Sequence, residues 1–339
     1  MNSRDLVKST LEFRNTGRIP RQLWVLPWAR MCEGEKLAEI QSAFPDDIVW
    51  DMPVIYAEQP PKVGDPYETG RYVDEWGCAF TSIYRGIVGE VKEPLIKDGD
   101  WKDAGKARFP EELLSFDVHK VNEYCRNTDQ FVLQTDFVRP FERMQFLRGT
   151  ENFFMDIALR NDGMLRFMEK LHAFNCRVME AWGSTCVDAL FMMDDWGTQS
   201  SLLIDPQVWV EMFKPMYADY CAIARKHDKR IFMHSDGYTL DILPHLIEIG
   251  VDAVNLQIFC IGMENLCEFK GKITFWGEMD RQWILPNGTA EQVESAVKSA
   301  YHTLWANGGC VAQCEFGPGA KPRNVEAVFR TWNEMRPSA

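Results

Sequence analysis

Eight short apolar runs recur along the chain, at 22–27, 48–52, 131–137, 189–194, 230–234, 253–257, 273–277 and 310–314. Stretches of helical period separate many of them, among them 209–226, 240–249 and 290–306. Runs that are apolar on both faces belong to strands covered on both sides. A helix between consecutive strands makes those strands parallel. Eight such units predict an α/β fold, a (β/α)8 TIM barrel. Local punctuation agrees. Asp205 followed by Pro206 has the form of a helix N-cap with proline in the first turn, and Gly250 stands where a helix should end before the next strand. Gly308-Gly309 plays the same part before Cys310.

The segment 54–120 breaks this rhythm. Pro60-Pro61 and Gly64-Asp65-Pro66 are turn signals, and 72–80 and 83–91 read as antiparallel strands around a polar turn. The expectation is a β-hairpin insertion after the second barrel strand, covering part of the mouth. No internal repeat or linker divides the chain, so residues 1–339 are expected to form a single domain.

The net charge is −13, which leaves no excess of Lys and Arg to neutralise phosphates and argues against nucleic acid as a partner. No apolar run approaches the roughly 18 residues that span a bilayer. The start, Met1-Asn2-Ser3-Arg4-Asp5, lacks the apolar core of a signal peptide, so a cytoplasmic protein is expected. The ten cysteines are scattered. They read as buried thiols, Cys186 and Cys221 among them, rather than as a disulfide framework. No C-x2-C pair exists to build a four-cysteine zinc site.

Barrel chemistry sits at the C-terminal ends of the strands. Here those ends carry Trp28, Asp51, Asp136, Asp194, Asp195, His234, Asp236, Gln257, Glu278, Gln313 and Cys314. His234 and Asp236 are two apart and face the same way if the strand runs through both. With Cys314 from the eighth strand they form a candidate metal set of the kind zinc favours, with Glu278 as an alternative third ligand. In Asp194-Asp195, one carboxylate is expected to cap the next helix, and the other to orient a substrate or the histidine. Asp194, Asp195 and Glu278 are the catalytic candidates. Trp28, Asp136, Trp196, Gln257 and Trp276 are the candidates for contact with a flat aromatic substrate. Ser235 has no G-x-S-x-G setting, and Gly86-Ile87-Val88-Gly89 lacks the following Lys-Ser/Thr of a phosphate loop.

At these residues the chain resembles the uroporphyrinogen decarboxylase superfamily, and within it the corrinoid-dependent methyltransferase branch. The resemblance spans nearly the whole chain and is clearest from about 130 to 330. It is carried by an ordered set: Asp194-Asp195-Trp196-Gly197, Asp205-Pro206, His234-Ser235-Asp236-Gly237, Gly250-Val251-Asp252-Ala253, Trp276-Gly277-Glu278-Met279-Asp280 and Leu285-Pro286-Asn287-Gly288-Thr289. In the zinc-containing, thiol-methylating members, the ligands implied are a His, a Cys two residues later, and a Cys ten residues before an Asn. His234 matches the first. Cys314, ten residues before Asn324, matches the last. Asp236 replaces the middle Cys, which makes the site more oxygen-rich and puts thiol methylation in doubt. The decarboxylase branch holds substrate carboxylates with an Arg-rich element that should fall near 27–30, where only Arg30 is basic.

The resemblance implies a methyltransferase that moves a methyl group between a small donor and the cobalt of a separate corrinoid protein. The oxygen-rich site favours an aryl methyl ether as donor, hence O-demethylation, with zinc as the metal. The expected partners are a small corrinoid-binding protein and an aromatic methyl donor, with a homodimer left open. Three alternatives stand beside this: a porphyrinogen-type decarboxylase, a thiol methyltransferase, and a non-catalytic barrel that binds a small molecule.

Overall fold

The computed structural model describes residues 1–335. Its strands in chain order are β1 (Arg21–Val25), β2 (Ile48–Val49), β3 (Gly70–Val73), β4 (Ala79–Ser82), β5 (Glu90–Val91), β6 (Phe131–Val132), β7 (Ala189–Met193), β8 (Arg230–Ser235), β9 (Ala253–Leu256), β10 (Thr274–Trp276) and β11 (Cys310–Phe316). The fold is mixed α/β, built on a curled parallel sheet. Six strands pair in the order β1-β11-β10-β9-β8-β7, and β2 pairs with β6 separately. Among the described residues the two ladders are joined by isolated bridges and single hydrogen bonds, Asp188 N to Val132 O at 2.8 Å among them. Leu133 bridges to Ala189, and Asp47 N donates to Arg21 O at 2.9 Å. The strand runs expected at 48–52 and 131–137 shorten to two residues each. Just beyond them Leu133 N still donates to Val49 O at 2.8 Å, and side-chain bonds join in, such as Thr135 Oγ1 donating to Trp50 O at 2.9 Å.

Alternation along the strands sorts the core into two layers. An inner cluster takes Trp24, Ile48, Phe131, Phe191, Phe232, Ala253, Trp276 and Val311, one from each of the eight parallel strands. Val7 and Leu11 of the N-terminal helix Ser3–Leu11 join it. The residues between them, such as Leu23, Leu190, Met233, Val254 and Cys314, belong to the larger cluster that includes the helices. Asp205 caps its helix as expected, accepting from Gln207 N at 2.8 Å, and Gly250 ends the helix Leu243–Ile249 in the left-handed conformation. The stretch 209–226 is two helices, Pro206–Met212 and Lys214–Lys226, because Pro215 has no N–H for a continuous ladder.

The segment after β2 is a three-stranded antiparallel sheet, β3-β4-β5, and not the single hairpin expected. The turn falls earlier than expected, at Asp74. Its Oδ1 accepts from Trp76 N (3.1 Å) and Cys78 N (2.8 Å), and Gly77 supplies φ +88°. Gly86, at φ +85°, rests on Trp28, where a Cβ would meet the Trp28 backbone at 2.8 Å. All ten cysteines are free. Cys221 is buried as expected, but Cys186 is exposed, on the loop before β7. No helix among the described residues is long and apolar enough to cross a membrane.

Candidate metal and active site

Register builds the site. Met193 lies beside His234, and His234 beside Asn255, across β7-β8-β9. His234 and Asp236 leave β8 on the inner side, following Phe232. Asp195 leaves β7 in the same sense, following Phe191 and Met193. The loops after β7 and β8 press together at Gly197 and Gly237. A Cβ on Gly237, which has φ +80°, would lie 2.2 Å from Gly197 O.

His234 is the centre. Asn255 Nδ2 donates to Trp276 O, which turns the amide so that its Oδ1 faces the imidazole. His234 Nδ1 donates to that oxygen at 2.6 Å. Nε2 is thereby left facing the carboxylates, 3.5 Å from Asp195 Oδ1 and 3.7 Å from Asp236 Oδ1. Burial opposes charge on His234. The hydrogen bond to Asp195 and the charges of Asp236 and Asp195 outweigh it and raise the imidazole to about 10. Burial likewise opposes ionisation of Asp195, and the bond and charge of His234 overcome it, holding the carboxyl at about 2. A divalent cation would take the place of the Nε2 proton.

Ligand atoms of Asp195, His234 and Asp236 lie within 4.8 Å of one another. Ligands on a tetrahedral ion with bonds of roughly 2.0–2.1 Å stand about 3.4 Å apart, so the observed gaps are close to what zinc needs. Asp236 Oδ1 has no hydrogen-bond partner among the described residues. A nitrogen and two carboxylate oxygens, with the second ring nitrogen tied down by Asn255, fit such a metal.

Arg281, on the loop after β10, gathers the surrounding charge. It contacts Asp236, and its Nε and Nη1 lie 3.1 Å from Glu278 Oε1 and Glu315 Oε2. The approach to Glu278 lacks hydrogen-bond geometry, so neither Glu278 oxygen has a donor among the described residues. Burial pushes the Glu278 carboxyl up to about 8. Glu278, Gln257, Arg281 and Trp283 line a cavity of about 290 Å³.

The structure separates several expected site residues from this centre. Asp194 is fully buried and caps helix Pro140–Arg148, accepting from Glu142 N (2.8 Å), Phe141 N (3.1 Å) and Tyr217 Oη (2.5 Å). The capped helix precedes β7 instead of following it. Cys314 is not in the metal-compatible group. Alternation turns it outward, in register with Leu23 and in the helix-side core, and burial holds its thiol well above its usual range. Trp196 stacks on Phe141 at 3.9 Å, deep in that core. Trp276 is fully buried and donates to Gln22 Oε1 at 2.8 Å. Trp28 packs against the outer core. Asp136 lies on the segment after β6 and accepts from Tyr56 Oη at 2.7 Å, on the wall of a second cavity of about 710 Å³.

The rings beside His234 are ones the sequence reading left out. Trp24 lies 5.0 Å from the imidazole, Trp50 stacks on Trp24 at 5.0 Å, and Phe137 stacks on Trp50 at 6.0 Å. Asn255, Arg281 and Glu315 were also missed. Only the position of Glu315, two after Gln313 on the same strand face, was a signal in the sequence.

The uroporphyrinogen decarboxylase (URO-D) family model matches residues 113–335. No curated protein matches the chain by sequence. Among solved structures, a methyltransferase from Methanosarcina mazei superposes with a TM-score of 0.69 at 14% identity, covering 98% of this chain and 99% of that one. A glycosylated endo-beta-1,4-xylanase from Gloeophyllum trabeum reaches a TM-score of only 0.40 at 12% identity, over 63% of this chain and 79% of its own. That second likeness is too weak to support a reading.

Proposed function

The chain belongs to the uroporphyrinogen decarboxylase family, and from that premise we propose that it is a methyltransferase taking a methyl group from an aryl methyl ether to the cobalt of a corrinoid on a partner protein. One observation carries the reading: His234 is locked through Nδ1 and aims Nε2 between two carboxylates. A decarboxylase for a polycarboxylate would need a cationic mouth and no such site, whereas this mouth is acidic. The fold neighbour named a methyltransferase supports the choice through architecture alone.

In the reaction, the bond from ether oxygen to methyl carbon breaks and its electron pair stays on oxygen. The electron pair of Co(I) forms the new cobalt–carbon bond. The difficulty is the leaving group, since a phenol has a pKa near 10. Zinc held by His234, Asp195 and Asp236 would supply Lewis acidity toward that oxygen. Glu278, whose carboxyl is raised by burial toward the protonated form, would hand a proton to the departing phenolate. Arg281 keeps Glu278 and Glu315 in place. Trp24 and Trp50 present flat apolar surface beside the imidazole.

In this reading the eight parallel strands act as one closed barrel, residues 1–339 form one domain, and 54–120 folds over its mouth. A single cooperative unfolding transition is the expected behaviour; two separated transitions would refute it. For the chemistry, the zinc-loaded protein is mixed with a methoxylated phenol and cob(I)alamin, and methylcobalamin is followed by its absorbance. Methyl transfer that proceeds equally well without corrinoid would rule the mechanism out. Carbon dioxide released from uroporphyrinogen would place the protein among the decarboxylases.

A further inference from the structure

The cavity of about 710 Å³ lies between the β3-β4-β5 sheet and the segment that follows β6, with Tyr72, Phe80, Phe137 and Phe146 among its apolar walls. Three cations line it. Arg143 is taken by Asp74, with Nη1 to Oδ2 at 2.5 Å, and Lys62 pairs with Glu75 at 3.4 Å. Arg139 is different. The one carboxylate within ion-pair range of it among the described residues is Glu142, at 3.8 Å, well beyond the roughly 2.7–2.9 Å of a charge-assisted hydrogen bond. Its other contact is donation to Met193 Sδ at 3.4 Å. The guanidinium is half-buried and lies 4.7 Å from the Phe137 ring centroid. From Phe137 a row of rings, Trp50 and then Trp24, leads to His234.

A half-buried guanidinium without a close anion, beside stacked rings that end at the metal-compatible histidine, has the form of a carboxylate-reading group. We propose that Arg139 recognises the methyl donor by its anionic group, and that the donor is a methoxylated aromatic carboxylate. Its carboxylate pairs with Arg139, its ring lies along Phe137 and Trp50, and its methoxy group points toward His234. Arg143 is held by Asp74, and Lys62 is largely exposed and nearer its own carboxylate, so the donor's charge falls to Arg139. The inference rests on the methyl-transfer reading for the direction of the methoxy group, but not for the anion site itself.

The test is calorimetric titration of the zinc-loaded full chain with 4-methoxybenzoate and with 4-methoxybenzyl alcohol, which has the same ring and ether but no charge. A charge-assisted pair predicts at least about tenfold tighter binding of the benzoate. Arg139→Gln should lose that preference while still binding the alcohol, and Arg139→Lys should keep most of it. A measurement that needs no variant is protection of Arg139 from phenylglyoxal, read by peptide mass spectrometry; the benzoate should protect and the alcohol should not. Equal binding of the two ligands, binding of neither, or a preference that survives in Arg139→Gln overturns the proposal. Methyl transfer from neutral ethers with no carboxylate preference would sink this inference and leave the proposed function standing. A benzoate preference without any transfer to cob(I)alamin would do the reverse.

Discussion

Two buried charge clusters in this molecule are built on opposite rules. Around Arg143, on the wall of the larger cavity, both Asp74 oxygens are used, although Arg143 Nε has no partner among the described residues. Oδ2 takes the guanidinium at 2.5 Å, and Oδ1 takes the backbone N–H groups of Trp76 and Cys78. Around His234, the carboxylates Asp195, Asp236, Glu278 and Glu315 outnumber their cations, His234 and Arg281. There Asp236 Oδ1 and both Glu278 oxygens lack hydrogen-bond partners among the described residues. A buried polar group without a partner is unfavourable by about 1–3 kcal/mol. The first cluster spends its charge on holding a turn. The second leaves carboxyl oxygens without partners, open to a cation or a substrate.

The sharpest way to break the comparison is His234→Ala. Zinc content should fall from about one per chain to near zero, with methyl transfer down on the order of 10³-fold or more, since a metal supplies several kcal/mol of charge stabilisation. Metal emission spectroscopy and the methylcobalamin assay read both. Full zinc content in this variant would show that the metal lies elsewhere. The complementary change is Asp74→Ala, which strands a buried guanidinium. A loss of about 3–5 kcal/mol in urea unfolding is expected, with zinc content unchanged in the folded protein. A loss below about 1 kcal/mol would show that Arg143 finds another partner.

Asp136 stands between the two classes, with its carboxylate hydrogen-bonded by Tyr56 but in no ion pair among the described residues. Burial raises its carboxyl from the usual 3.8 to about 6, against the lowering effect of the Tyr56 and Trp182 hydrogen bonds. The folded state therefore holds this proton more tightly than the unfolded chain does. The associated stability is fully present below about pH 3.9 and is lost as the pH rises through about 6, a change of about 2–3 kcal/mol. Asp136→Asn should flatten that part of the stability profile between pH 4 and 7; a profile parallel to the wild type would contradict it. Asn255→Ala frees His234 Nδ1, and outer-shell losses of this kind weaken metal affinity by about 10–100-fold. Competition with a chromogenic chelator measures it, and an unchanged affinity would mean that the ring is oriented by something other than Asn255.

Much of this contrast was legible in the sequence, because strand alternation is local. The two-residue step from His234 to Asp236 places both on one face, and the division of labour between Asp194 and Asp195 follows from the same period. The rest depends on facts no local window holds. Asn255 reaches His234 through the β8-β9 register, and nothing in either strand's own pattern specifies that register. Arg281 comes from a loop, where no period applies. The turn at Asp74 lay inside 72–80, which read as one strand although it holds Asp74, Glu75 and Gly77, and this displaced the expected hairpin and with it the view of Arg143. Trp28, Trp196 and Trp276 drew attention as strand-end rings, yet the rings beside the imidazole are Trp24 and Trp50, which sit within or just past their strands.

Cys314 gives the smallest expected effect and the finest discrimination. Spacing to Asn324 made it a ligand by resemblance, while alternation makes it a core residue. On β11, Val311 joins the inner cluster, whereas Cys310, Ala312, Cys314 and Phe316 join the helix-side one. Gln313, beside Cys314, is in register with Gln22, whose oxygen meets the inner Trp24 and Trp276. For the thiol to reach His234 the strand would have to shift by one residue, and every inner side chain on it would change faces. Cys314→Ala should therefore leave zinc stoichiometry and chelator competition within error of the wild type. It should lower unfolding stability by only about 1 kcal/mol, the loss of one small buried group. Loss of zinc from Cys314→Ala in a folded protein would mean that the strand end rearranges when metal binds, and that the ligands at His234 include a thiolate.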